Sequence, residues 1–201
     1  MSTFLDKIKN RRTIYAIGKN VALDRTKLKK LFVKRLNIAH QRSTLNLHVL
    51  LLYGESHAKF WNLVREALRK IVPADAFAGT NAKIDSFVAG VGTVLFYEDQ
   101  AVVKSLQEQF ELYADNFPVW SEHSSAIAQF ATWTALSELG LGASLQHYNP
   151  IVDADAAEAF DVPATWKLRA QLVFGSVEAP AGEKAFISDE DRFKHSTKSS
   201  G

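Results

Sequence analysis

The 201-residue chain contains no cysteine. This absence excludes disulfide bonds, thiolate catalysis and cysteine-ligated metal, and it leaves the redox compartment undetermined. No apolar run approaches the roughly 20 residues that a membrane-spanning helix needs. Met1–Asn10 lacks a continuous apolar core and contains Asp6, which is not typical of a secretory signal. We therefore expect no membrane partner and a cytoplasmic location, or a nuclear one if the source is a eukaryote.

An excess of one charge is also missing. The net charge is +2, and basic residues are interspersed with acidic ones, so we expect no nucleic-acid partner. The six histidines are scattered and form no metal-binding spacing on a predicted helix, so we expect no metal site. With 47% hydrophobic residues the chain can bury a substantial core. We predict a single domain over 1–201, with a disordered tail at about 195–201.

Hydrophobic periodicity predicts helices that alternate with about four strands. A short helix is predicted from Phe4, Leu5 and Ile8, with Arg11–Thr13 at its end, and another short helix is predicted within the connection 74–89. The longer predicted helices are 24–36, 56–72, 101–112, 121–139 and 153–160. The predicted strands are 45–53, 92–97, 141–149 and 166–174. This alternation favours a mixed α/β domain with helices on both sides of a sheet.

The most informative stretch runs from Trp120 to Pro150. Apolar and small residues nearly encircle the predicted helix 121–139, which indicates burial on most sides. Gly140 follows where a left-handed cap suits a residue without a Cβ atom. The next strand ends in the polar run Gln146–Asn149. Because these polar side chains are expected to lie beside a buried helix, they indicate a ligand site.

Two further segments carry candidate ligand contacts. Arg11, Arg12 and Thr13 offer several hydrogen-bond donors to a phosphate, although a solvated basic turn is the alternative from the residues alone. Phe117 and Trp120 lie in an aromatic-rich segment, which either covers a planar ligand or packs on the core.

Taken together, several segments resemble the nitroreductase-like flavoproteins of the fatty-acid-repression-mutant type. The segments that carry the resemblance are Gly92–Gln100, Tyr113–Glu122, Gly140–Pro150, Trp166–Gln171 and Phe174–Gly175. The resemblance implies an α+β fold, namely a three-layer α/β/α sandwich with a mainly antiparallel sheet in a domain-entwined homodimer. It also implies FMN at the dimer interface and NADH or NADPH as reductant for nitroaromatics, quinones or another aromatic small-molecule acceptor.

The same resemblance assigns cofactor-binding residues. Arg11, Arg12 and Thr13 match the family segment that holds the FMN phosphate and flavin edge. Lys184 matches a C-terminal basic position that approaches the phosphate, and a solvated lysine is the alternative.

Gln146, His147 and Tyr148 lie where the family's strand passes the isoalloxazine ring. A backbone N–H or side-chain donor there is expected to stabilise charge on the reduced flavin, and a satisfied strand end is the alternative. The flavin itself carries the redox chemistry, so no protein nucleophile or acid–base catalyst is assigned.

One segment departs from the family pattern. Where the family has a Ser-Pro-Ser-Ala-Phe-Asn-Ser-Gln-like loop on the flavin, this chain has Ile38–Asn46, in which only Ser43, Thr44 and Asn46 offer comparable polar groups. Synonymous codons for 37–49, read one nucleotide earlier, permit Lys-His-Ser-Pro-Ser-Ala-Phe-Asn-Ser-Gln-Ser-Thr-Arg. We therefore hypothesise a compensated pair of frameshifts within about 35–49.

Two functions follow from these observations. The first is an FMN-dependent oxidoreductase whose cofactor site includes Ser43 and Asn46. The second is a flavin-free, non-catalytic dimer with a regulatory or stress-response role, which only the altered loop supports. Retention of bound flavin distinguishes between them.

Overall fold

The protein was analysed as a computed structural model that describes residues 3–22, 24–39 and 46–196. The helices are α1 Phe4–Asn10, α2 Arg25–Ala39, α3 Gly54–Arg69, α4 Phe77–Val88, α5 Gln100–Gln109, α6 Phe117–Glu138, α7 Asp153–Phe160 and α8 Asp189–Arg192, with a 3₁₀ turn at Glu111–Asn116. The strands are β1 Ile17–Gly18, β2 Leu47–Tyr53, β3 Gly92–Asp99, β4 Gly142–Gln146 and β5 Trp166–Val177. Residues 40–45, which are the middle of the proposed frameshift segment 35–49 and include Ser43, lie outside the described residues, as does part of the predicted disordered tail.

The five strands form one antiparallel sheet. The strand order is β1-β5-β3-β2, and β4 pairs with β5. The two central strands, β3 and β5, are buried along most of their length, which matches their nearly continuous apolar sequences. The mainly antiparallel sheet predicted from the resemblance is confirmed.

Helices cover both faces of the sheet. One core packs α3, α4 and α7 against Leu95 and Val173. The other packs α2 and α6 against Phe96 and Leu172. Neighbouring residues of β3 and β5 point to opposite cores because side chains alternate along a strand. The α+β sandwich is therefore confirmed, with α/β/α layers in this order.

Helix α6 differs from its prediction in two ways. It begins at Phe117, four residues before Ser121, and Pro118 occupies the first turn, where its missing N–H has no helical acceptor to lose. Its end is as predicted, because Gly140 has φ +75° and therefore adopts the left-handed conformation expected of the residue that caps the helix. In the single chain, however, Ile127 and Phe130 are exposed. Burial on most sides is therefore a wrong prediction for the single chain, because an apolar sequence pattern does not show which faces of a helix the rest of the chain covers.

Strand β1 was not predicted, since two residues are too short to show a period. It pairs with Val177 and Ser176 of β5. Gly175 lies against the backbone of Gly18, so a side chain at Gly175 would collide with it. Within the described ranges, no helix is both long and apolar enough to cross a membrane.

Candidate functional site

Arg11, Arg12 and Thr13 leave α1 and run along strand β4. Thr13 forms a parallel bridge with Ala143, and the N–H of Ile14 donates to the Ala143 carbonyl at 3.0 Å. Because Ala143 pairs with Phe174 of β5 on its other side, this segment extends the sheet beyond β4. We call this side the β4 edge.

Arg11 is held against aromatic rings of α6. Its guanidinium carbon lies 4.3 Å from the Trp133 ring centroid and 5.5 Å from that of Phe130. Burial lowers the pKa of Arg11, and the charge of Arg12 lowers it further. The Arg11 Nε atom is buried and has no hydrogen-bond partner among the described residues. An arginine held in this way is suited to an anion, which would supply the missing acceptor.

The C-terminal segment joins the same edge. Arg12 donates from Nη2 to the carbonyl of Gly182 at 2.7 Å, across 170 positions of sequence. Two residues later, Lys184 is exposed, and its ammonium lies 5.0 Å from the Phe186 ring centroid. The structure therefore places Lys184 in a segment tethered to Arg12.

The far end of β4 carries the predicted residues Gln146, His147 and Tyr148. They differ in their hydrogen bonds and in their exposure. Gln146 donates from Nε2 to Ser144 Oγ at 3.2 Å. The Tyr148 N–H donates to Gln171 Oε1 at 2.7 Å, and burial raises the pKa of the Tyr148 phenol. His147 is the exposed member of the three. No acceptor for its N–H is found in the described part of the chain.

Asn46 lies elsewhere, at the start of β2. It is buried, and its Nδ2 donates to Ser121 Oγ at 2.5 Å. Its carbonyl accepts from the Asp99 N–H at 2.7 Å. A cavity of about 100 Å³ next to it is lined by Asn46, Val103, Leu106, Phe117, Trp120, Ser121 and Ser124.

One chain does not bring the two sets of predicted cofactor residues together. Thr13 lies beyond β4, whereas Asn46 precedes β2 at the opposite side of the sheet. The path between them crosses β4, β5, β3 and β2, which is roughly 19 Å of sheet at about 4.8 Å per strand spacing. The width of the sheet therefore separates the two sets of predicted residues within one chain.

The start of α6 is fixed to the sheet by ion pairs. Arg169 of β5 contacts the buried carboxylate of Glu98 and the half-exposed Glu122, each at 2.7 Å. Glu98 Oε1 is buried, and no described residue hydrogen-bonds to it. Beside this anchor, Trp120 and Tyr113 stand partly exposed with ring centroids 6.4 Å apart. The aromatic segment thus packs on itself and still presents ring surface outward.

Gln171 is the residue of this region that sequence reasoning missed. It is fully buried in β5 among apolar neighbours, and its side chain binds the turn after β4. A glutamine inside an apolar strand was the available signal, because a buried amide requires hydrogen-bond partners. Its partners were not predictable, since they lie 22 and 23 positions away.

The residues of the β4 edge fit FMN. Two arginines, a threonine and a lysine form a donor set suited to a phosphate monoester, and the buried Arg11 Nε still requires an acceptor. The N–H of His147 offers a neutral donor near the other end of β4. This combination matches a ligand with a dianionic end and a polar ring.

Comparisons with known proteins identify the family of this chain. The model of the nitroreductase family matches residues 8–176. Two relatives from Saccharomyces cerevisiae, HBN1 and nitroreductase FRM2, are 35% and 34% identical, over 94% and 92% of this chain and 96% and 94% of theirs. The solved structure of nitroreductase CinD from Lactococcus lactis in complex with chloramphenicol is 49% identical. The match covers 97% of this chain and 100% of CinD, with a TM-score of 0.87.

Proposed function

This chain belongs to the nitroreductase family, and from that premise we propose that it is an FMN-dependent enzyme that uses NADH or NADPH to reduce nitroaromatics, quinones or related acceptors. Family membership makes it an oxidoreductase that acts on nitro compounds. The observation that carries the cofactor proposal is the buried, unpartnered Nε of Arg11, which lies close enough to Arg12 to be affected by its charge.

In this proposal Arg11, Arg12, Thr13 and Lys184 bind the phosphate of FMN. Trp133 and Phe130 keep the Arg11 guanidinium in place and exclude water from one of its faces, which strengthens its attraction for an anion. His147 lies at the ring end of the site. When bound, FMN supplies the two-electron chemistry that the side chains themselves lack.

The second part of the cofactor site is proposed to come from a partner copy. Asn46 is separated from the β4 edge by the width of the sheet, and members of this family are typically homodimers. Residues from the start of β2 in one chain would then meet Arg11–Thr13 of the other. This arrangement would explain why Asn46 and Arg11–Thr13 lie at opposite sides of the sheet within one chain.

The acceptor is proposed to be an aromatic nitro compound. Structures of CinD contain chloramphenicol and 4-nitrophenol, both of which carry a nitrobenzene ring. In this chain Trp120 and Tyr113 present ring surface near the cavity beside Asn46. Such rings favour stacking with an electron-poor aromatic molecule.

The test is the visible absorption spectrum of purified protein, before and after addition of excess FMN and desalting. We expect a retained flavin spectrum that bleaches on addition of NADH or NADPH and returns on addition of 4-nitrophenol. Arg11→Gln is expected to weaken FMN binding about tenfold or more, because a charged donor to phosphate is lost.

Arg69→Gln is the matched control, since Arg69 is exposed and pairs with Glu66 on α3. It should retain FMN as the unmodified chain does. A colourless protein that cannot retain added FMN would contradict the proposal and favour the flavin-free dimer.

A further inference from the structure

Gln171 is a polar side chain at the centre of an apolar strand. It is 0% exposed, and its neighbours Leu172 and Val173 on β5 are fully buried as well. It pairs with Leu95 of β3 on one side and with Gln146 of β4 on the other. Such a position favours an apolar residue unless the amide is fully hydrogen-bonded.

The Gln171 amide binds two consecutive residues of the turn that follows β4. Its Oε1 accepts the N–H of Tyr148 at 2.7 Å, and its Nε2 donates to Asn149 Oδ1 at 3.1 Å. A planar amide that offers one acceptor and one donor at fixed positions sets both the position and the orientation of this turn.

Neighbouring contacts leave one residue of the turn facing outward. The Tyr148 ring packs edge-on against Trp61 and Phe87, with centroids 5.8 and 6.2 Å away. Gln146 bonds back to Ser144. His147 lies between them and is exposed, so its N–H and imidazole are the groups that the fixed turn presents.

We propose that Gln171 is a positioning residue that holds the turn after β4 so that His147 presents its backbone N–H to the ring of the cofactor. This inference rests on the proposed function, because it presupposes that FMN binds along the β4 edge. Gln171 itself contacts no ligand. Its effect is transmitted through Tyr148 and Asn149.

The reduced form of FMN distinguishes this role from a general structural one. Negative charge on the reduced ring requires an aligned donor, whereas the oxidised ring needs it less. Misalignment of the His147 N–H should therefore weaken binding of reduced FMN more than that of oxidised FMN. A loss of stability alone would weaken both forms equally.

The experiment uses Gln171→Met, which keeps the size of the side chain but removes both hydrogen bonds. Apoprotein is titrated with oxidised FMN and, anaerobically, with reduced FMN, and the thermal midpoint of the apoprotein is recorded. We expect the ratio of the two Kd values to shift at least fivefold against reduced FMN. Ser125→Ala is the control, because it removes a partly buried hydrogen bond from Gln129 Nε2 to the Ser125 hydroxyl, and it should leave the ratio unchanged.

Asn149→Ala is the second variant, because it removes one of the two bonds and leaves Gln171 in place. We expect a smaller shift of the same sign, and this variant decides the matter if Gln171→Met does not fold. An unchanged Kd ratio in a folded variant would overturn the positioning role. Failure of the unmodified chain to bind FMN would instead overturn the proposed function.

Discussion

At the residue scale, His57 shows how a buried polar group is satisfied away from the proposed site. Trp61 Nε1 donates to Thr93 Oγ1 at 2.9 Å, and His57 Nδ1 lies 2.8 Å from the same oxygen. His57 Nε2 lies 3.1 Å from the Phe87 carbonyl. An arrangement with Nε2–H donating to that carbonyl and Nδ1 accepting from Thr93 satisfies the neutral ring. Burial accordingly lowers the pKa of His57 to about 4.

This lowered pKa predicts a loss of stability in acid. Well above the unfolded-state pKa of 6.5 the ring is neutral in both the folded and the unfolded chain, so the full stability is present. As the pH falls from 6.5 towards 4, His57 binds a proton in the unfolded chain but not in the folded chain, so the free energy of unfolding decreases. At pH 4.5 we expect His57 to contribute a loss of roughly 2.5 kcal/mol.

Urea unfolding at pH 7.5 and 4.5, at one protein concentration, measures this loss. His57→Gln cannot titrate, so its free energy of unfolding should fall by roughly 2.5 kcal/mol less than that of the unmodified chain. His123→Gln, at an exposed histidine, should behave as the unmodified chain does. Equal acid sensitivity in all three proteins would contradict the assignment.

At the element scale, strand β2 supports the frameshift hypothesis. Leu47 pairs with Glu98 and Val49 with Phe96, so Val49 and Glu98 are diagonal neighbours on one face of the sheet. Glu98 Oε1 is buried, and the described residues supply no partner for it. The shifted reading frame places an arginine at position 49, on the same face as this carboxylate. The Glu98 carboxylate could therefore serve as the counter-charge for an arginine at position 49.

We propose that the segment 37–49 derives from a shifted reading frame, and resequencing the gene tests this directly. Codons that cannot encode the family loop in the shifted frame would refute it. A chain in which residues 37–49 are replaced by the family-like segment should bind FMN at least tenfold more tightly, or about 1.4 kcal/mol. Val49→Arg alone is the control, because it supplies the charge near Glu98 without the flavin-contacting loop.

At the scale of the whole molecule, the exposed apolar surface indicates a partner copy. Exposed large side chains are concentrated on α6 and the segment before it, and they include Phe110, Leu112, Tyr113, Val119, Trp120, Ile127, Phe130 and Leu139. The C-terminal segment adds Phe186, Ile187 and Phe193. Apolar surface of this extent marks an interaction site in a globular protein. We propose that a second copy of the chain covers it.

Sedimentation velocity provides the test. The unmodified chain is expected to sediment as a dimer, and Ile127→Lys should raise the dimer dissociation constant at least tenfold, because it places a charge on the proposed interface. If the cofactor site is shared between two chains, a variant that dimerises less should also retain less FMN. Ile71→Lys is the control, at an apolar residue just beyond the end of α3 that is 63% exposed, compared with 53% for Ile127. A monomer at micromolar concentration would contradict both the interface and the shared site.

The sequence by itself determined most of the helices, the long strands and the family, because periodicity, capping and motif spacing are local properties of the chain. It also supplied Arg11, Arg12 and Thr13 as one contiguous donor set. Short-range patterns could not predict strand β1 or the early start of α6.

The tertiary structure decided which of these residues are neighbours. Pairing across the sheet is a long-range property, and it placed Asn46 and Thr13 at opposite sides. It also engaged Tyr148 with Gln171 and left His147 exposed. A residue type indicates what a side chain can bind, but only the packing of distant segments determines which of its groups are already satisfied.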